Sequence, residues 1–97
     1  MTGKIKIMFH ATFREVTGNK EIEEKLDKDR TVQFFLNKLQ KTYGKDFNGV
    51  IDASTGKIST EVLVLINGRA IRKTDIVLKD NDVLLITLPL GGGWGEN

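Results

Sequence analysis

The residues with the clearest chemical potential lie late in the chain, where Leu90-Gly91-Gly92-Gly93 runs into Trp94-Gly95-Glu96-Asn97. A run of glycines adds no apolar area to a core and carries the largest backbone entropy cost on ordering, so packing does not explain it. A frayed terminus is one explanation. The other is that glycine is used for the side chain it lacks: a backbone without Cβ atoms threads a narrow channel in a partner and presents its carboxylate there.

Other chemistry-bearing residues are few. The absence of cysteine excludes disulfides, thiolate zinc sites, iron–sulfur clusters and cysteine nucleophiles, and His10, the single histidine, cannot supply a metal cluster. No nucleophile–base pair is indicated, and the glycine run lacks the downstream Lys-Ser/Thr and helix of a nucleotide-binding loop. An enzyme in its own right, or a bound cofactor or metal, is therefore not expected. Fifteen Lys and Arg residues are interleaved with thirteen Asp and Glu residues for a net charge of +2, without the contiguous basic stripe and interspersed aromatics that nucleic acid requires. No stretch has the apolar length of a signal peptide or a membrane span, so neither membrane nor nucleic acid is expected as a partner and the cytoplasm is the expected location.

The elements that must position the tail can be read from periodicity. Lys4 to Phe9 alternates, with Ile5, Ile7 and Phe9 on one face and Lys4, Lys6 and Met8 on the other, which predicts a half-buried strand. Ala11 to Val16 has room for a single helical turn before the turn residues Thr17-Gly18-Asn19. Lys20 to Leu26 predicts a charged edge strand with Ile22 and Leu26 inward, and Asp27 to Arg30 a polar connection. Thr31 then caps a helix in which Val32, Phe35, Leu36, Leu39 and Tyr43 recur at helical spacing, and Gly44 is expected to end it in the left-handed conformation. Residues 45–60 read as a loop anchored by Phe47, Val50 and Ile51.

Glu61 to Ile66 predicts a strand, and Asn67-Gly68 after it a tight hairpin whose return strand runs through Ala70 and Ile71. Ile76 to Leu78 is a short apolar step, Lys79-Asp80-Asn81-Asp82 a polar turn, and Val83 to Leu88 a last strand ended by Pro89. One amphipathic helix covers one face of a sheet this size, so the order predicts an α+β roll in residues 1–90, with a mixed sheet on one main helix and a flexible glycine-rich tail over 91–97. The late strands are apolar at nearly every position. Leu63 and Leu65 or their neighbours, with Met8, are then left on a face the helix cannot reach, and such faces mark protein contact sites unless the 45–60 loop covers them.

Four segments, Phe9-His10-Ala11-Thr12-Phe13-Arg14-Glu15-Val16-Thr17-Gly18, Val64-Leu65-Ile66-Asn67-Gly68-Arg69, Leu78-Lys79-Asp80-Asn81-Asp82-Val83 and Pro89-Leu90-Gly91-Gly92-Gly93, together resemble the small subunit of molybdopterin synthase. With the thiamine sulfur carriers and archaeal ubiquitin-like modifiers, that family has the ubiquitin-like β-grasp fold. The resemblance spans nearly the whole chain. It implies a sulfur carrier whose terminal glycine carboxylate is adenylated with ATP by a ubiquitin-activating-type enzyme, converted to a thiocarboxylate, and inserted into the molybdopterin synthase large subunit. The partners supply every catalytic residue; a carboxylate acylates poorly until AMP activates it.

The resemblance places the family's terminal glycine pair on Gly92 and Gly93, with Gly91 in a spacer position. The family usually ends there, whereas this chain carries Trp94-Gly95-Glu96-Asn97 beyond it. Adenylation at Gly93 therefore requires removal of residues 94–97, as in extended relatives that mature through a zinc-dependent peptidase. Residues expected to contact partners are Leu90, Gly91, Met8, Leu63, Leu65, Arg69 and Trp94. For Trp94 a disordered aromatic is the alternative, and for Arg69, with Arg72 and Lys73, a solvated surface. Three functions remain open: a carrier for molybdenum or tungsten cofactor synthesis, a modifier joined to lysines through the same glycine, and a non-covalent binding module with an inert tail.

Overall fold

A computed structural model of the chain describes residues 3–89. The first strand, β1 (Gly3–Phe9), buries Ile5, Ile7 and Phe9 and turns Lys4, Lys6 and Met8 to the other face, as the alternation requires. A short helix, α1 (Thr12–Thr17), drops Phe13 into the core. The next strand, β2 (Glu21–Leu26), pairs antiparallel with β1, from Met8 opposite Glu21 to Gly3 opposite Leu26. It is a sheet edge, and its charges keep that edge from recruiting another chain.

The main helix, α2 (Val32–Tyr43), lays Val32, Phe35, Leu36 and Leu39 on the sheet side. Thr31 caps it, its Oγ1 accepting the Phe34 N–H at 3.2 Å. Gly44 ends it with φ 79° but ψ −145°, so the residue has the positive φ expected of it and an extended ψ instead of the left-handed one. The difference follows from what comes next. A 3-10 turn, Gly44–Phe47, starts at once and carries Phe47 into the core against Phe9, Phe13 and Tyr43, at ring separations of 6.2, 5.2 and 5.7 Å.

After Phe47 the chain is held by Val50 and Ile58, both buried, and by a bridge between Ile51 and Ile58. Between them Asp52 organises a tight turn, its Oδ1 accepting the Ser54 N–H at 2.9 Å and the Ser54 hydroxyl at 2.7 Å. The following strand, β4 (Leu63–Ile66), begins two residues later than the β-branched run suggests. Ser59 accounts for the delay: its carbonyl accepts the Val62 N–H and its Oγ the Glu61 N–H, which commits residues 59–62 to a turn.

Asn67 (φ 52°) and Gly68 (φ 87°) form the expected hairpin into β5 (Arg69–Ile71). The last strand, β7 (Val83–Thr87), lies between β4, antiparallel, and β1, parallel, and the sheet order is β2-β1-β7-β4-β5. A second, two-stranded sheet pairs β3 (Arg30–Thr31) with β6 (Val77–Leu78). The sequence alone reads Arg30 as part of a polar connection. Strands of two residues leave no periodicity to detect, and this pairing arises because residues 74–78 pass over the start of α2, where the Thr74 and Ile76 carbonyls accept the Gln33 and Val32 N–H groups. The result is an α+β ubiquitin-like roll, a mixed five-stranded sheet with α2 across one face.

Candidate functional site

The sheet has two apolar faces and one main helix. Ile5, Ile7, Phe9, Val64, Leu84 and Ile86 belong to the buried cluster that α2 covers. Side-chain alternation puts the intervening residues on the opposite face, and cross-strand register arranges them in rows. One row runs Met8, Leu85, Leu65, Ala70 across β1, β7, β4 and β5; Leu63 sits opposite Thr87 beside it, and Val83 beside Lys6. Met8, Leu63, Leu65, Val83 and Leu85 are only partly buried.

The loop over 45–60 does not close this face, because Phe47, Val50 and Ile58 all enter the cluster on the helix side. Loop and helix cover the same face of the sheet. The other remains open apart from its neighbour strip on β2, where Lys4 pairs with Glu23 at 3.6 Å and Lys6 with Glu21 at 3.5 Å. These exposed pairs are each worth about 0–1 kcal/mol and serve mainly to mark the boundary between an apolar patch and a charged rim.

Met8, Leu63 and Leu65, three of the expected partner residues, thus come together. Arg69 does not join them. It stands in register with Ile66, which packs on the buried cluster, and therefore shares the helix-side parity of its strand. Arg72 acts structurally, since its Nε donates to the Ile58 carbonyl at 3.3 Å while its own carbonyl accepts the Ile58 N–H, fastening the loop to the end of β5. Leu85, which occupies the middle of the open row, was not among the expected residues. The run Val83-Leu84-Leu85-Ile86 is apolar at every position and carries no phase of its own; only its parallel register with β1, setting Met8 against Leu85, resolves which face each residue takes.

β7 aims the chain toward the tail. Because β7 runs parallel to β1, the chain leaves the sheet at the Phe9 end, where the His10 N–H donates to the Ile86 carbonyl at 3.1 Å and continues the pairing. His10 is exposed there. Leu88 follows at 37% exposure, one residue past the end of the strand. Leu90, Gly91, Gly92, Gly93 and Trp94 lie outside the described residues. A concavity of about 570 Å³ lined by Gly3, Lys4, Lys25, Leu26, Asp27, Asp80 and Asn81 sits at the other end of the sheet. Among the described residues no three or more His, Cys, Asp or Glu side chains converge as a metal site, and no helix is long and apolar enough to cross a membrane.

Asn67 does more than turn the chain. Its Nδ2 donates to Asp82 Oδ1 at 2.9 Å, its Oδ1 accepts the Val83 N–H at 2.9 Å, and its backbone N–H donates to the Val83 carbonyl. Asp82 in turn accepts the Lys79 N–H through Oδ2 at 2.8 Å. One side chain therefore couples the β4–β5 hairpin to the turn before β7, which fixes the register that assembles the open face.

Known proteins match this chain both in sequence and in fold. The model of the ThiS family covers residues 7–93. The chain belongs to the ThiS family. Over 93 residues it is 34% identical to small archaeal modifier protein 3 of Haloferax volcanii, an alignment covering 93% of this chain and 99% of the relative. Among solved structures, SAMP1 from Haloferax volcanii superposes with a TM-score of 0.72 at 25% identity, covering 94% of this chain and all of that one. A putative molybdopterin converting factor subunit 1 from Pyrococcus furiosus superposes with a TM-score of 0.71 at 26% identity, over 91% of this chain and 99% of that one. This ThiS-family chain is thus a ubiquitin-like β-grasp protein, homologous to small archaeal modifiers and to sulfur carriers of the molybdopterin type.

Proposed function

We propose that the chain is a sulfur carrier that works through the carboxylate of Gly93 once residues 94–97 are removed. The observation that carries this reading is the extent of the family match, which ends on Gly93, the second residue of the Gly92-Gly93 pair. In this reaction the glycine carboxylate attacks the α-phosphorus of ATP on a ubiquitin-activating-type adenylating enzyme and expels pyrophosphate. Hydrosulfide delivered by a sulfur donor then attacks the acyl carbon, AMP leaves with the former carboxylate oxygen, and loss of the sulfur-bound proton gives a thiocarboxylate. The thiocarboxylate tail enters a large synthase subunit and gives up its sulfur for molybdenum or tungsten cofactor synthesis, a route supported by the likeness to the Pyrococcus furiosus converting factor subunit.

The carrier itself contributes no catalytic side chain and holds no cofactor; its part is recognition. The open row of Met8, Leu85 and Leu65, with Leu63 beside it, docks on the activating enzyme and then on the synthase, while Leu90 and Gly91 lead the glycine pair into each active site. Trp94 and the residues after it are recognised by a zinc-dependent peptidase. A second reading, protein modification through the same activated glycine, is favoured by the 34% identity to a small archaeal modifier.

ATP–pyrophosphate exchange by the cognate adenylating enzyme separates these readings from a plain binding module. Exchange is expected with the form ending at Gly93 and not with the full chain, and the protein from its native cells should have the mass of residues ending at Gly93, with or without one oxygen replaced by sulfur. Exchange with neither form would sink both the carrier and the modifier. Recovery of lysine conjugates, with no thiocarboxylate in the same cells, would select the modifier.

A further inference from the structure

Two of the large apolar side chains most exposed to solvent, Phe34 at 38% and Val77 at 45%, lie on the side of the molecule opposite the open sheet face. Backbone bonding ties both to one residue: Val77 is the cross-strand partner of Thr31, and the Thr31 hydroxyl accepts the Phe34 N–H. Both residues are therefore anchored at the start of α2.

Phe34 stands at the third helical position after the Thr31 cap. A Glu or Gln there would complete a capping box by reaching back to the Thr31 N–H, and an acidic side chain in the first turn would also meet the positive end of the helix dipole. α2 has no acidic residue in its first turn, and none anywhere along its length. Of its exposed residues, Phe34, Asn37, Lys38 and Lys41 line a shallow depression of about 330 Å³.

The charges around Phe34 are arranged asymmetrically. The Arg30 guanidinium lies over the Phe34 ring, 4.1 Å from its centroid, and spends only its Nε on Asp27. Lys38 is turned to Glu24 on β2 at 2.6 Å. Lys41 makes no ion pair among the described residues. Asp27 and Glu24 are thus already engaged, while the Arg30 Nη groups over the ring and the Lys41 ammonium, further along the same depression, have donors to spare. An exposed apolar anchor with unspent donors on Arg30 and Lys41 fits a segment that brings an apolar side chain flanked by carboxylates.

We propose that the outer face of α2, centred on Phe34 and Val77 with Arg30 and Lys41, is a second docking surface, and that its occupant is an acidic peptide segment with an apolar anchor residue. Lying across the molecule from the Met8–Leu85–Leu65 row, it leaves that row free, so a chain engaged through its sheet still offers α2 to another protein. Nothing in this assignment depends on the chemistry of Gly93.

Random peptides displayed on phage and selected on the full chain provide the test, with selected sequences then synthesised with a fluorescent label and titrated by polarisation. Enriched sequences are expected to carry one large apolar residue beside two or more Asp or Glu, and to bind more weakly as salt is raised. Phe34→Glu should weaken them by about tenfold or more, as truncating a central aromatic anchor does. Lys41→Glu and Val77→Thr, surface changes that leave the ring in place, should also weaken them, which covers the case in which Phe34→Glu disturbs α2. Selection of sequences without acids, or affinity indifferent to Lys41→Glu and Val77→Thr, would overturn the assignment. So would tight binding of a single-stranded oligonucleotide in place of any peptide.

Discussion

At the level of single residues, Asn67 concentrates more of the architecture than its size suggests. It supplies positive φ to the hairpin and side-chain bonds to both Asp82 and Val83. Asn67→Gly keeps the turn and loses the bonds, at a cost of about 1 kcal/mol, whereas Asn67→Ala loses both and should cost about 2 kcal/mol in urea denaturation. No loss in Asn67→Gly would mean that the side-chain bonds are idle, and equal losses in the two variants that the positive φ costs nothing. Two carboxylates also leave a signature in acid. The Arg30 hydrogen bond holds Asp27 below the ordinary value of 3.8, and the Ser54 hydroxyl and N–H do the same for Asp52. A lowered folded-state pKa favours the folded chain above the unfolded value, and that contribution is lost as pH falls from there through the folded pKa. Both groups are solvent-exposed, so the effect on stability is small, and the check is a carboxyl NMR titration: both midpoints below 3.8 are expected. The turn role of Asn67 is plain from the Asn-Gly pair, but its bonds to Asp82 and Val83 are not, because they join residues that only the folded sheet brings together.

Among the elements, β7 separates packing from recognition within adjacent residues. Leu84 is fully buried beneath α2 and Leu85 belongs to the open row. Leu84→Ala should cost about 2–5 kcal/mol in denaturant unfolding, as cavity-forming core changes do. Leu85→Ser should cost about 1 kcal/mol or less and instead raise the concentration of chain needed for half-maximal ATP–pyrophosphate exchange. If the two variants lose stability equally, the open face is packed and the docking role fails. The helix α2 was legible in nearly every respect, because Thr31, the apolar stripe and Gly44 all speak locally. The β1 alternation was equally clear. β3 and β6 were not, since two residues on each side hold no periodicity, and the start of β4 was misplaced because Ser59 overrides the β-branched run that follows it.

For the whole molecule, the mixed sheet and its single covering helix followed from the order of periodic segments, while the placement of the loop over 45–60 on the helix side required Phe47, Val50 and Ile58 to be seen in one cluster. Arg69 was expected to contact a partner as part of a small basic patch with Arg72 and Lys73, and only the Ile66 register shows that it lies on the helix-side parity, apart from the open row. The topology also has a mechanical side. β1 and β7 lie side by side and point the same way, so the chain before β1 and the chain after β7 depart from opposite ends of that pair. Tension applied between those two ends acts along the strands and loads the rungs from Lys6–Val83 to Phe9–Ile86 together. Tension between Leu63 and Thr87, which face each other at one end of an antiparallel pair, opens that pair one rung at a time. Forced unfolding is governed by the barrier and not by equilibrium stability. In single-molecule pulling the first geometry should therefore rupture at distinctly higher force than the second, and a machine that grips this protein by its tail meets its mechanically toughest direction.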